Sequence, residues 1–235
     1  TNPGFALVKR SRLRYNDIQE KFVEVGNRMG TVIAVASGKG GTGKTSFCAG
    51  VSAALCAMGE KVLLIDADAG LRNLDLVLGM TDSLLFSYAD VMMGRATLKE
   101  AAIAHPLVKN LRVLTAPADP CEISAPYIAK LLETAREHFT FTLIDCPSGL
   151  SGDLVSFAAC ADRTVIVSTA DHTSLRGAQR MADVFLQTGM KNSKIVVNRV
   201  RRKMMNTGES VNIDRAMDAS GLSLLGVVPE DRDII

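Results

Sequence analysis

Tryptophan is absent from this sequence, and only 5% of its 235 residues are aromatic. That leaves too few flat side chains for stacking platforms on single-stranded nucleic acid. No apolar run reaches the roughly 20 residues that a membrane-spanning helix needs, and no secretory leader is visible. The cysteines Cys48, Cys56, Cys121, Cys146 and Cys160 are odd in number and form no C-x-x-C pair. They are expected to be free thiols in a reducing cytoplasmic setting. His105, His138 and His172 are scattered along the chain, which argues against a histidine metal centre. A large charge of one sign is also lacking, since the formal net charge is +2. Residues 1–28 hold six Lys or Arg against three Asp or Glu. Of 27 basic and 25 acidic residues in all, 21 and 22 therefore remain for the body. A body without excess positive charge makes DNA an unlikely partner.

What is present is ordinary for a folded domain: 47% hydrophobic and 22% charged residues, with enough length for one full core. Residues 1–28 read differently from the rest. A basic stretch (Lys9, Arg10, Arg12, Arg14) precedes a short helical pattern with Asn16 as N-cap and Ile18, Phe22 and Val25 on one face. The expected organisation is an N-terminal extension over 1–28, either a loosely docked tail or a regulatory helix, and one domain over 29–235.

From Thr31 onward, apolar strands alternate with helical stretches. Strands are predicted at Thr31–Ala36, Lys61–Asp66, Leu111–Ala116, Thr140–Asp145, Thr164–Ser168, Lys194–Asn198 and Leu224–Val228. Helices are predicted at Thr45–Met58, Ser124–His138, Ser151–Cys160, Thr173–Gln187 and Val211–Ala219. The strands are rich in Val, Ile and Leu without strict alternation, as strands buried on both faces are. The predicted fold class is α/β, a doubly wound, mostly parallel sheet with helices on both faces. Ligands in such folds bind beyond the carboxyl ends of the strands.

The strongest local signal is Gly38-Lys39-Gly40-Gly41-Thr42-Gly43-Lys44-Thr45, followed by Ser46. It matches G-x-x-x-x-G-K-[ST], follows a predicted strand and opens a predicted helix. Glycines permit a backbone whose N–H groups turn inward onto phosphate oxygens, and the helix N-terminus adds partial positive charge. Lys44 would reach the outer phosphates, and the Thr45 hydroxyl is a hard oxygen ligand suited to Mg²⁺. Phosphoryl transfer also needs carboxylates at the strand ends to hold the ion and place a water. Asp66 and Asp68 follow one strand. Asp145 ends another and continues into Cys146-Pro147-Ser148-Gly149, where Pro and Gly predict a turn.

The arrangement K-G-G-T-G-K-T, with a second lysine at Lys39, resembles the deviant Walker A motif of the MinD/ParA family. The resemblance implies ATP and ADP as nucleotides, Mg²⁺ as cofactor, and an ATP-dependent homodimer in which Lys39 contacts the partner's phosphates. It also implies that Asp145 is the Walker B aspartate acting on Mg²⁺ through water and that Asp68 orients the attacking water, with Asp66 supporting the ion. Asn198 and Arg199, and the segment Pro229-Glu230-Asp231, resemble the family's adenine-binding segments.

The run Asp66–Asp75 looks like the MinD form of the fingerprint rather than the ParA form. Motif order from Met29 to Asp231, including Asn198-Arg199 through Met204-Met205 and Gly208, agrees. This implies a division-site switch with a MinC-like inhibitor and a MinE-like activator as partners. It also implies a peripheral place on the inner face of the cell membrane for the full-length protein. The family's C-terminal amphipathic helix has no counterpart in these residues. A flagellar-number regulator, a ParA-type DNA partitioner and a binding scaffold with negligible turnover are the alternatives.

Overall fold

The structure is a computed structural model that describes residues 29–69, 73–80, 85–119, 124–190, 192–201 and 211–231. The extension over 1–28, Cys121, the fingerprint positions Gly70 to Arg72 and the positions Met204, Met205 and Gly208 lie outside the described residues.

Among the described residues eight strands form one sheet: β1 (Thr31–Ser37), β2 (Val62–Asp66), β3 (Ile103–Ala104), β4 (Leu111–Leu114), β5 (Phe141–Ser148), β6 (Arg163–Thr169), β7 (Ser193–Val200) and β8 (Ser223–Pro229). Their order is β3-β4-β2-β5-β1-β6-β7-β8. Every pairing is parallel except β3 with β4 at the edge. The helices among the described residues are α1 (Lys44–Ala57), α2 (Asn73–Leu78), α3 (Tyr88–Met92), α4 (Leu98–Ala101), α5 (Ala125–His138), α6 (Gly152–Ala159), α7 (His172–Gln187) and α8 (Val211–Ser220). None of them is long and apolar enough to cross a membrane.

The strands lack strict alternation because both sheet faces are covered. On β1, Val32, Ala34 and Ala36 enter the core shared with α5, α6 and α7. Ile33 and Val35 enter the opposite core, which α1 closes with Cys48, Leu55 and Cys56. The result is three layers, with β1 central and its carboxyl end aimed at the loop Gly38–Gly43.

The helices and strands predicted from Thr31 onward are all present, and the differences are local. Pro147 and Gly149 predicted a turn directly after Asp145, but β5 continues to Ser148. Pairing with β1 shifts between Val35↔Asp145 and Ser37↔Ser148, and Pro147 falls within this irregularity. There a missing N–H is tolerated. The turn comes at Gly149, whose φ of 80° is a left-handed value that glycine adopts readily. β3, α2, α3 and α4 were not predicted. They are short, yet α3 and α4 each open with a capping box, Ser87 with Asp90 and Thr97 with Glu100.

Candidate functional site

The loop between β1 and α1 owes its shape to glycine. Gly41 and Gly43 have φ of 79° and 86°. A Cβ on Gly40 or Gly41 would meet nothing within 4 Å, so this stretch faces open space. Gly38 is needed for the opposite reason. A Cβ there would lie 2.2 Å from the backbone carbon of Gly177, in the middle of α7. Helix α1 starts from Gly43 with no side-chain cap and no acidic residue in its first turn. Its first N–H groups and its positive dipole end are therefore left for an anion.

Register brings the acidic residues to the same place. Asp66 at the end of β2 pairs directly with Asp145 on β5, and β1 lies on the other side of β5. Lys44 Nζ is 2.5 Å from Asp145 Oδ1, and the Thr45 hydroxyl donates to Asp145 Oδ2 at 2.7 Å. The Cys48 thiol, one helical turn after Lys44, approaches Asp145 Oδ1 at 3.5 Å. Asp66 accepts the backbone N–H groups of Asp68 at 3.0 Å and Leu74 at 3.3 Å, which ties the following segment to the strand end. Ala67 N–H donates to the Asp145 carbonyl at 2.9 Å.

Burial sets the electrostatics. It pushes Asp66 up to about 6, against the two backbone donors. It also raises Asp68, although Lys44 pulls the other way. Burial, the largest single influence, would lower Lys44, but the charge and hydrogen bond of Asp145 together with the neighbouring Cys48 and Cys146 raise it on balance. Burial raises Cys48 and pushes Cys146 up to about 12, so both remain neutral thiols.

The residues present fit a nucleoside phosphate and a hard cation. Ser37 and Thr42 carry buried hydroxyl oxygens with no hydrogen-bond partner among the described residues. The loop supplies backbone N–H groups and a buried ammonium. Thr45, Asp66, Asp68 and Asp145 carry oxygens of the kind Mg²⁺ prefers, but among the described residues no three acidic, histidine or cysteine side chains are gathered closely enough to hold a metal by themselves.

The remaining expected residues are divided. Asn198 is buried at the end of β7, and its Nδ2 donates to the Thr42 carbonyl at 2.7 Å. Arg199 is exposed, has φ of 56°, and brings Nε near Gly43. Pro229 ends β8 and Asp231 follows it, half-buried. Ser46 is half-buried in the first turn of α1. Lys39 is not in the carboxylate cluster. It lies half-exposed with Nζ 3.8 Å from Asp171 Oδ1 of the same chain.

Three contributors went unread in the sequence. Cys48 lies four residues after Lys44 and so on the same helix face. Gly177 interrupts a helical pattern, which signals close packing. Asp171 caps α7 by accepting from Ser174 N–H, and it is the partner of Lys39.

A three-layer α/β fold with a glycine-lined loop between β1 and α1, a buried lysine and strand-end aspartates defines a P-loop nucleotide-binding protein. The pattern described as CbiA, the CobQ/CobB/MinD/ParA nucleotide binding domain, matches residues 33–235, and the chain belongs to that family. It is similar to the septum site-determining protein MinD of Thermotoga maritima, with 36% identity over 88% of this chain and 78% of that protein. Among solved structures it resembles the MinC:MinD cell division protein complex of Aquifex aeolicus at 31% identity and a TM-score of 0.79, covering 86% of this chain and 82% of that one. The septum site-determining protein MinD of Pyrococcus horikoshii complexed with Mg-ADP matches at 30% identity and a TM-score of 0.71, with coverage of 86% and 82%.

Proposed function

We infer that this chain is an Mg²⁺-dependent ATPase of the MinD type, a division-site switch whose ATP-bound form is a homodimer. The observation that supports this most is the convergence of Lys44 and Thr45 on Asp145 beneath a loop whose Gly40 and Gly41 face open space. In this reading the Gly38–Thr45 backbone and Lys44 hold the phosphates. Thr45 would hold Mg²⁺, Asp145 would act on it through water with Asp66 in support, and Asp68 would orient the attacking water. When bound, the ion supplies charge neutralisation at the phosphate oxygens during transfer.

Lys39 acts across the dimer. Its contact with Asp171 is an exposed ion pair at 3.8 Å, worth about 1 kcal/mol or less, so a partner's phosphates compete for it easily. Catalysis in trans makes turnover depend on protein concentration. Asn198, with Arg199, Pro229 and Asp231 beside it, forms the adenine end.

A MinC-type inhibitor is the proposed effector, a MinE-like protein the activator, and a reversible membrane association the output. The similarity to MinD proteins and to a MinC:MinD complex supports this assignment. Mixing two inactive variants tests the switch. Lys39→Ala cannot donate the lysine, and Asp68→Ala cannot place the water. A mixed dimer restores one complete site, so ATP hydrolysis returns on mixing. No recovery over either variant alone would overturn the shared-site reading. ATP-dependent sedimentation of the protein with anionic vesicles tests the membrane step, and absence of sedimentation in ATP counts against it.

A further inference from the structure

The end of β7 is joined to the phosphate loop by one buried contact. Asn198 Nδ2 donates to the Thr42 carbonyl at 2.7 Å, across 156 positions of sequence. The fit is tight on the loop side as well. A Cβ on Gly43 would stand 2.3 Å from that same Nδ2, so the amide occupies the space that glycine leaves. Gly43 also has φ of 86°, and Arg199, directly after Asn198, turns at φ of 56°. Two left-handed residues thus flank a single side-chain to backbone hydrogen bond. β7 itself is fixed, since Thr169↔Asn198 pairing continues β6 up to that point.

We propose that Asn198 is a positioning residue for the phosphate loop: its amide braces the Thr42 carbonyl and keeps the loop in the phosphate-binding conformation, independently of any contact with the base. This rests on the nucleotide reading above. In a trans peptide the Gly43 N–H points opposite to the Thr42 carbonyl, so a donor held on that carbonyl fixes the direction of that N–H, as an inward-facing phosphate loop requires. Without the donor, a buried carbonyl loses its partner and the left-handed backbone at Gly43 loses its support. Asn198 thus adjoins both the loop and the proposed adenine end, and its hold on the loop does not require a base.

Inorganic tripolyphosphate separates the two roles, because it has phosphates and no base. Isothermal titration with Mg²⁺-tripolyphosphate and with Mg²⁺-ATP is run on the wild-type chain, Asn198→Ala and Asn198→Leu, with thermal melting as the check of folding. A brace predicts about tenfold weaker tripolyphosphate binding in both variants. ATP binding should weaken at least as much. Amide exchange at Gly41–Thr45 should also quicken in both variants. Tripolyphosphate affinity within twofold of wild type, whether or not ATP affinity falls, would overturn the brace. Asn198→Ser, the smaller excision, carries the same test if the other variants melt early. Wild-type protein that binds neither ligand would instead refute the nucleotide site itself.

Discussion

Replacing Lys44 with alanine removes the cation at the centre of the site, and its cost can be worked from the geometry. The two side chains of the Lys44–Asp145 pair are 5% and 2% exposed and lie 2.5 Å apart. In Lys44→Ala the carboxylate keeps the Thr45 hydroxyl at 2.7 Å and the Cys48 thiol at 3.5 Å, and loses its only charged donor among the described residues. Removing one partner of a buried pair costs about 3–5 kcal/mol. The two surviving donors place the expected loss at about 3 kcal/mol. For a chain of this length that lowers Tm by about 6–12 °C. Adding Asp145→Asn removes the stranded charge and should recover most of the loss, since the pair is coupled. Scanning calorimetry without nucleotide measures this cycle. Titration calorimetry with Mg²⁺-ATP gives the second readout, in which Lys44→Ala should show no measurable binding. A Tm within 2 °C of wild type, or an unchanged ATP affinity, would refute the placement of Lys44.

Further outcomes follow from neighbouring residues. Asp68→Ala should bind ATP and accumulate as a dimer in light scattering, whereas turnover at the wild-type rate would remove Asp68 from the chemistry. A Cβ on Gly177 would lie 2.9 Å from the Gly38 carbonyl oxygen, so Gly177→Leu must displace the loop entrance. An affinity for Mg²⁺-ATP lower by about tenfold is expected, and unchanged affinity would mean that the contact does not shape the loop. Asp66 is held near 6, above its unfolded value, because of burial. Its contribution to stability is therefore complete below about pH 4 and lost as pH rises through about 6, a change of about 3 kcal/mol. Urea titrations of the metal-free chain at pH 4 and 7 should show this fall, and Asp66→Asn should flatten it. Equal slopes in both proteins would contradict the assignment.

The sheet was legible because its strands are apolar on both faces and its helices fall between them. The loop was legible because glycine spacing and the two lysines carry their chemistry in the sequence itself. What stayed hidden depends on distant contacts. Val35↔Asp145 and Ser37↔Ser148 differ in register by a bulge that no local pattern announces, so the turn after Asp145 was placed too early. The edge strand β3 has two residues and exists through pairing with β4, not through its own propensity. Asn198 was read as a base contact, and the structure adds a hydrogen bond from its amide to the Thr42 carbonyl, a partner that only the folded sheet brings within reach. Lys39 was expected to serve another subunit. Its contact with Asp171 within the chain became visible only when the N-terminus of α7 was placed beside the loop.

The proposed site requires the loop Gly38–Thr45 to enclose the phosphates of ATP. Backbone amide chemical shifts, followed by NMR while Mg²⁺-ATP is added, test it most directly. The largest changes are expected at Gly40–Thr45, with smaller ones near Asp145 and Asn198. Saturable ATP binding that leaves those loop amides unmoved, and shifts residues elsewhere on the fold, would contradict it.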